Sequence, residues 1–330
     1  MYSKNWIIIL LLVSILVLAV SGCKAFRKKE LDLQKENDAP GLEEEGLWED
    51  EGNTRETILF YQDDAGYLVP IMRRIEWEEG IAKAALLKLV DAPEQQQEML
   101  GMGLKSLLPV DTQINGISIK DGLAKVDFNE AAMNYSDALT ESNMVQGVVM
   151  TLVEFPAIER VQLMFDGKIV DTLKYGTEVG APIGPERINV ELSLNSPGDG
   201  AEVTVFYCST SPSRYEYLVP VTRITSQPSA TIETAMEELL QGPKPGSNLH
   251  LEIPEGVKML GVQMDDGITY LNFSKELESL RQSENEMAVL KAITMTAREF
   301  TGVSAVKLLV EGNEYGDGQP MVMSAFANEF

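Results

Sequence analysis

The chain has 330 residues, a net charge of −24, one histidine and two cysteines. So acidic a chain argues against nucleic acid as a partner, because binding it depends on Lys and Arg neutralising phosphates. A single imidazole, His250, leaves no redundancy for a histidine-based metal centre or a Ser-His-Asp triad.

At the N-terminus Lys4 precedes an apolar run from Ile7 to Val20, followed by Val20-Ser21-Gly22-Cys23. The run is short for a bilayer span, which needs about 20 apolar residues, and small residues follow it where a processing enzyme needs access. Residues 1–22 therefore read as a signal peptide. Cys23 after Ser21-Gly22 makes a lipobox, which resembles the bacterial lipoprotein signal, where the thiol receives a diacylglycerol and the peptide is cut before it. Two or more acyl chains on Cys23 anchor stably, which puts the folded part on the outer leaflet of a bacterial cytoplasmic membrane. Arg27, Lys28 and Lys29 follow at a distance where anionic head groups attract them.

Residues 23–56 carry Glu43-Glu44-Glu45 and Glu49-Asp50-Glu51 around a Pro40-Gly41 break, with little apolar periodicity. Such a segment buries too little to offset its ordering cost and reads as an acidic, disordered tether.

Beyond the tether the chain is written twice. Tyr67-Leu68-Val69-Pro70 returns 150 residues later as Tyr217-Leu218-Val219-Pro220, with Arg73/Arg223, Ala85/Ala235, Leu89/Leu239 and Pro93/Pro243 at the same offset. From Pro109/Pro254 onward the offset is 145, through Asp121-Gly122/Asp266-Gly267, Phe128/Phe273, Glu154-Phe155/Glu299-Phe300 and Gly167/Gly312. A loop five residues shorter in the second copy accounts for the slip. The expected organisation is a first domain at 57–176, an inter-domain linker at 177–200 and a second domain at 201–330. At about 125 residues, each copy is long enough to bury its own core.

Within each copy the predicted elements run β-β-α-β-β-α-β. Thr57–Tyr61 and Tyr67–Ile75 read as strands around Asp63-Asp64-Ala65-Gly66; the matching turn in copy two, Ser209 to Arg214, is longer and is where the copies differ most. Ile232, Ala235, Met236, Leu239 and Leu240 mark one buried helical face, matched by Ile81, Ala82, Ala85, Leu86, Leu89 and Val90. Asp121-Gly122 and Asp266-Gly267 are tight-hairpin signals between the next two strands. A second helix carries Met144, Val148, Leu152 and Phe155, or Val289, Ile293, Ala297 and Phe300, with Ser283 and Glu286 spaced for a capping box in copy two only. The last strand is Val161–Phe165 or Val306–Val310. The fold class is α+β, two tandem small domains, each with two helices on one face of a sheet.

The lipobox, the doubled unit and the stretch Tyr175-Gly176-Thr177-Glu178-Val179-Gly180-Ala181-Pro182-Ile183-Gly184-Pro185-Glu186-Arg187-Ile188-Asn189 together resemble the GerM family, sporulation and spore germination lipoproteins with two GerMN domains. That stretch has no counterpart in sequence after copy two. The resemblance implies a fold related to ring-building motifs, and a place in the envelope complex joining mother cell and forespore. It brings no catalytic residues with it.

Chemistry has few candidates. Cys208, the thiol left beside Cys23, lies in the strand-like Val203 to Cys208 and reads as a packed small residue; His250 reads as a loop residue. Asp63-Asp64 and Asp265-Asp266 sit at turns, which already explain them. The expectation is a non-enzymatic scaffold with no catalytic, metal or cofactor residues. Its expected partners are the membrane through Cys23, proteins of the mother cell to forespore channel, and itself; no interaction residues are assigned. An accessory to a sensor or transporter, and a cell-wall hydrolase or its modulator, are the alternatives.

Overall fold

The computed structural model describes residues 54–76, 80–193, 200–316 and 326–329. The signal peptide, Cys23 and the tether as far as Asn53 lie outside the described residues. Copy one comprises β1 (Thr54–Asp63), β2 (Leu68–Glu76), α1 (Ile81–Leu87), α2 (Pro93–Met102), β3 (Leu104–Lys105), β4 (Ile114–Lys120), β5 (Leu123–Phe128), α3 (Ala138–Val153) and β6 (Arg160–Phe165). A two-residue strand β7 (Glu191–Leu192) precedes copy two, which comprises β8 (Glu202–Thr210), β9 (Glu216–Ile224), α4 (Ile232–Leu240), β10 (Met259–Asp265), β11 (Ile268–Phe273), α5 (Glu286–Arg298), β12 (Ala305–Val310) and β13 (Asn313–Glu314).

The doubled α+β unit is thus present. Its strands hydrogen-bond as two sheets per copy, β2-β1-β3 and β4-β5-β6, then β7-β9-β8 and β10-β11-β12-β13. In each copy the hairpin β4-β5 or β10-β11 runs through a helix into a parallel partner. Leu123 faces Arg160 and Ile268 faces Ala305, the same register 145 residues apart. Both Asp-Gly pairs have positive φ throughout, 51° and 75° at Asp121-Gly122 and 46° and 77° at Asp266-Gly267. That is the backbone of the two-residue hairpin turn whose twist suits the strands.

Several boundaries differ from the sequence expectation. β1 starts at Thr54 because Thr54 to Glu56 pair with Glu76 to Arg74, so three residues assigned to the tether belong to the sheet. The stretch that is five residues shorter in copy two is a loop there, but in copy one it holds a helix. In copy one Pro93 opens helix α2 at a first-turn position, where proline's missing N–H costs nothing, and Gly103 closes it at φ 68°. The capping box at Ser283 and Glu286 does not form: Glu286 is the first residue of α5, and its carboxylate accepts instead from the Gln282 N–H (2.7 Å) and the Tyr315 hydroxyl (2.8 Å). Copy one has the side-chain cap, with Asp137 accepting from the Thr140 N–H at 2.9 Å. Two separate cores were expected; instead, buried contacts run without a break from Leu59 in copy one to Ala327 beyond copy two.

Two hydrogen bonds recur in both copies. Tyr61 donates to the Lys88 carbonyl (3.4 Å) and Tyr207 to that of Glu238 (3.0 Å), satisfying carbonyls at the end of the first helix. Thr151 accepts from the Phe60 N–H and Thr296 from the Phe206 N–H, each at 3.2 Å, so a helix hydroxyl covers a strand N–H that has no strand beside it. Leaving a buried donor unpaired costs about 1–3 kcal/mol. Thr151→Val and Thr296→Val, near-isosteric changes, are therefore each expected to lose stability in that range in urea unfolding, while Thr140→Val, on the exposed first turn of α3, loses less.

Candidate functional site at the junction of the two copies

The Leu-Val-Pro segments that betray the duplication lie on the facing edges of β2 and β9. In an extended strand alternate residues point their main-chain groups to the same side. On β2 that outer edge carries Leu68, Pro70 and Met72; on β9 it carries Leu218, Pro220 and Thr222. Each proline removes the central N–H of its edge, so the two strands cannot zip together by main-chain bonds alone.

Two asparagine side chains fill the gap. Asn189 accepts from the Leu68 N–H (2.9 Å) and donates to the carbonyls of Leu68 (2.8 Å) and Pro220 (2.7 Å). Asn328 accepts from the Leu218 N–H (2.7 Å) and donates to the carbonyls of Leu218 (2.8 Å) and Pro70 (2.9 Å). The pattern is reciprocal: each amide clamps the leucine of one copy and reaches the proline of the other, as a two-fold relation between the copies requires. Each amide makes one acceptor and two donor bonds. Asn189 adopts φ 51°, a left-handed conformation that asparagine tolerates better than most residues. The main chain follows the same exchange, with Met72 N–H bonding the Asn328 carbonyl (2.8 Å), Thr222 N–H the Ile188 carbonyl (3.3 Å), and β7 pairing parallel to β9. The stretch after copy one thus does have a counterpart after copy two, Phe326 to Glu329, visible only in space.

The features that break the repeat meet each other. Ser213 of the long β8-β9 turn donates to the Gly101 carbonyl at the end of α2, and a Cβ added at Gly103 would stand 2.6 Å from the Ser211 Cβ. Nearby, buried Asp63 accepts from the Tyr67 N–H (2.8 Å) and, across the junction, from the Tyr217 hydroxyl (3.2 Å). Asp63 is therefore more than a turn residue; desolvation raises its pKa despite these bonds.

A cleft of about 600 Å³ opens on the pseudo-two-fold, with Phe60, Pro70, Met150 and Glu154 from copy one facing their equivalents Phe206, Pro220, Met295 and Glu299. Loss of surrounding water in the cleft raises the Glu154 carboxyl above its ordinary value; the same desolvation, with the charge of Glu154 added, pushes Glu299 up to about 7. Both side chains remain exposed to the water of the cleft, which tempers the effect.

The other sequence candidates lie elsewhere. Asp265 ends β10 and Asp266 opens the β10-β11 turn. Cys208 is buried and burial pushes its thiol up to about 12, so it is no thiolate at neutral pH. His250 is not an ordinary loop residue: its main chain bonds that of Cys208 in both directions (2.8 and 2.9 Å).

Residues 58–171 and 204–316 match, in two blocks, the family Germane, described as sporulation and spore germination. The chain belongs to this family. Among relatives of Germane type, the spore germination protein GerM of Bacillus subtilis (strain 168) is 31% identical over 275 residues, covering 78% of this chain and 74% of that protein. The solved tandem GerMN domains of the sporulation protein GerM from Bacillus subtilis match with a TM-score of 0.71 at 30% identity, covering 84% of this chain and 99% of that one. The two Germane blocks are the two copies; Asn189 falls between them and Asn328 beyond them. No signal in the sequence pairs these asparagines, because their neighbours, Ile188 and Ala327, and their offset from the copies both differ.

Removing either amide strands a Leu N–H and two carbonyls. Asn328→Ala, with Asn328 buried, is expected to cost about 1–3 kcal/mol. Asn189→Ala should follow it, and limited proteolysis between residues 177 and 200 should accelerate in both. For the cleft, the folded chain holds the Glu299 proton more tightly than the unfolded chain does. Stability from this group is present at acid pH and is lost as pH rises from about 4.5 towards about 7. Glu299→Gln should flatten that fall, and carboxyl NMR titration should show the Glu299 midpoint moving down in Glu154→Gln.

Proposed function

We propose that the chain is a non-enzymatic, membrane-anchored lipoprotein of sporulation and germination. It serves as a scaffold in the envelope complex between mother cell and forespore, held at the membrane through lipidated Cys23. One observation carries the scaffold reading. The copies spend the edges of β2 and β9 on each other, while in their separate sheets β4 and β10 are end strands, as β6 and β13 are at the opposite ends. Ile119 on β4 and Leu260 and Met264 on β10 are 44%, 49% and 49% exposed. An unpaired strand edge bearing apolar side chains is a template for adding another chain.

The reciprocal junction makes these two edges equivalent in position yet different in sequence. A β4 edge meeting the β10 edge of the next chain is a head-to-tail contact, which closes into a ring when the rotation permits. Proteins of the mother cell to forespore channel are the natural neighbours for such an edge.

A fluorescent fusion of the full chain is expected to gather around the engulfed forespore, and Cys23→Ala to release it from the membrane fraction. Sedimentation at high concentration should show association that Ile119→Lys and Met264→Lys each abolish. Sporulation should survive the double change Glu154→Gln with Glu299→Gln. Uniform envelope staining, or a strict monomer alone and with channel proteins, would sink the proposal.

A further inference from the structure

Beside the junction, the register of β8 and β9 gathers metal-binding side chains on one sheet face. Thr210 lies opposite Glu216 in the β8-β9 pair. On the other side of β8, Cys208 lies opposite His250 in an isolated antiparallel bridge. Residues directly opposite in such pairs, and those two apart along a strand, share a face. Cys208, Thr210, Glu216 and His250 therefore face the same way, and one ligand atom each of Cys208, Glu216 and His250 lie within 4.8 Å of one another.

We infer that Cys208, Glu216 and His250 form a binding site for a divalent cation of the zinc class, with the fourth position open to water. Thiolate, imidazole and carboxylate are the donor types that zinc takes, and three protein donors with one open position is a known zinc geometry. The ring Nε2 of His250 stands 2.9 Å from the Thr210 hydroxyl, a contact of the kind that orients a ligating imidazole. Binding replaces the Cys208 S–H bond with a sulfur-metal bond and releases the proton to solvent.

The duplication supplies an internal comparison. Copy one places Gln62 opposite Lys105 where copy two places Cys208 opposite His250, and Gly66 stands where Glu216 does. The module thus folds without these donors, and three of them converge at one spot in copy two. Lys291 on α5 faces the same cluster, close enough for its charge to be felt by Cys208, Glu216 and Glu329. Its charge opposes a cation, so its removal should strengthen the site.

The test is cobalt(II) titration of the full-length chain in mild detergent, in a Cys23→Ser background so that Cys208 is the sole thiol. A thiolate-to-cobalt charge-transfer band should saturate at one equivalent and be displaced by zinc. Cys208→Ser should abolish the band, His250→Gln and Glu216→Gln should each weaken binding about tenfold or more, and Lys291→Met should tighten it. Thermal unfolding of each metal-free variant checks that it is folded. If the band is absent from the parent chain, or survives in Cys208→Ser, the site does not exist.

Discussion

Two edge strands, each lacking one N–H, cannot complete a sheet across the junction, and the molecule is organised around how that deficit is met. Pro70 and Pro220 leave carbonyls without a matching donor on the facing strand. An asparagine amide is suited to such an edge because it offers an acceptor and two donors from one planar group. Asn189 and Asn328 each serve one leucine and one proline, so neither belongs to a single copy. The prolines also keep the edge from pairing with a stray strand, which is how natural sheets manage exposed edges. One substitution type thus blocks the wrong partner and leaves room for the right one.

A purely two-fold pair would have identical contacts on both flanks, and this one does not. The longer β8-β9 turn reaches the end of α2, a helix that copy one alone possesses. Both departures from the repeat are therefore spent inside the chain, on each other, rather than on separate external neighbours. The same helix supplies Glu98 to Arg73 (2.5 Å), while the equivalent Arg223 is fully buried against Glu191 of β7 and the carbonyls of Glu238 and Gly242. In copy two the guanidinium closes the end of α4 and ties down the segment entering from copy one. A buried charge is tolerated there because three partners surround it.

The β-β-α-β-β-α-β order and both Asp-Gly turns were legible because each rests on local chemistry: alternation, helical spacing, or a left-handed turn that few residues allow. Helix α2 was not, since Pro93 reads equally as the end of one helix or the first turn of the next, and only the tertiary context decides between them. The failed capping box has the same origin: Glu286 has a better use in bonding Tyr315 than in reaching back to a cap. The junction was the least legible part. Tyr-Leu-Val-Pro announced itself as a repeat, but its meaning lies in residues 189 and 328, which neither share an offset nor sit in similar sequence.

Duplication also separates what the module needs from what a copy can spare. Thr151 and Thr296, Tyr61 and Tyr207, and the Asp127 and Asn272 side chains that accept from Gly167 and Gly312 (2.8 and 2.9 Å) keep their roles in both copies. Each satisfies a main-chain group that the fold leaves unpaired, and an unpaired group in copy one would be as costly as in copy two. Where the main chain alone holds a pair together, the side chains are free to diverge: copy one has Gln62 opposite Lys105, and copy two has Cys208 opposite His250. Main-chain pairing across that bridge holds the two positions together whatever side chains they carry. Constancy at one set of positions and freedom at the other follow from the same accounting of backbone hydrogen bonds, and the freedom is what lets one copy acquire chemistry without loosening the sheet that both share.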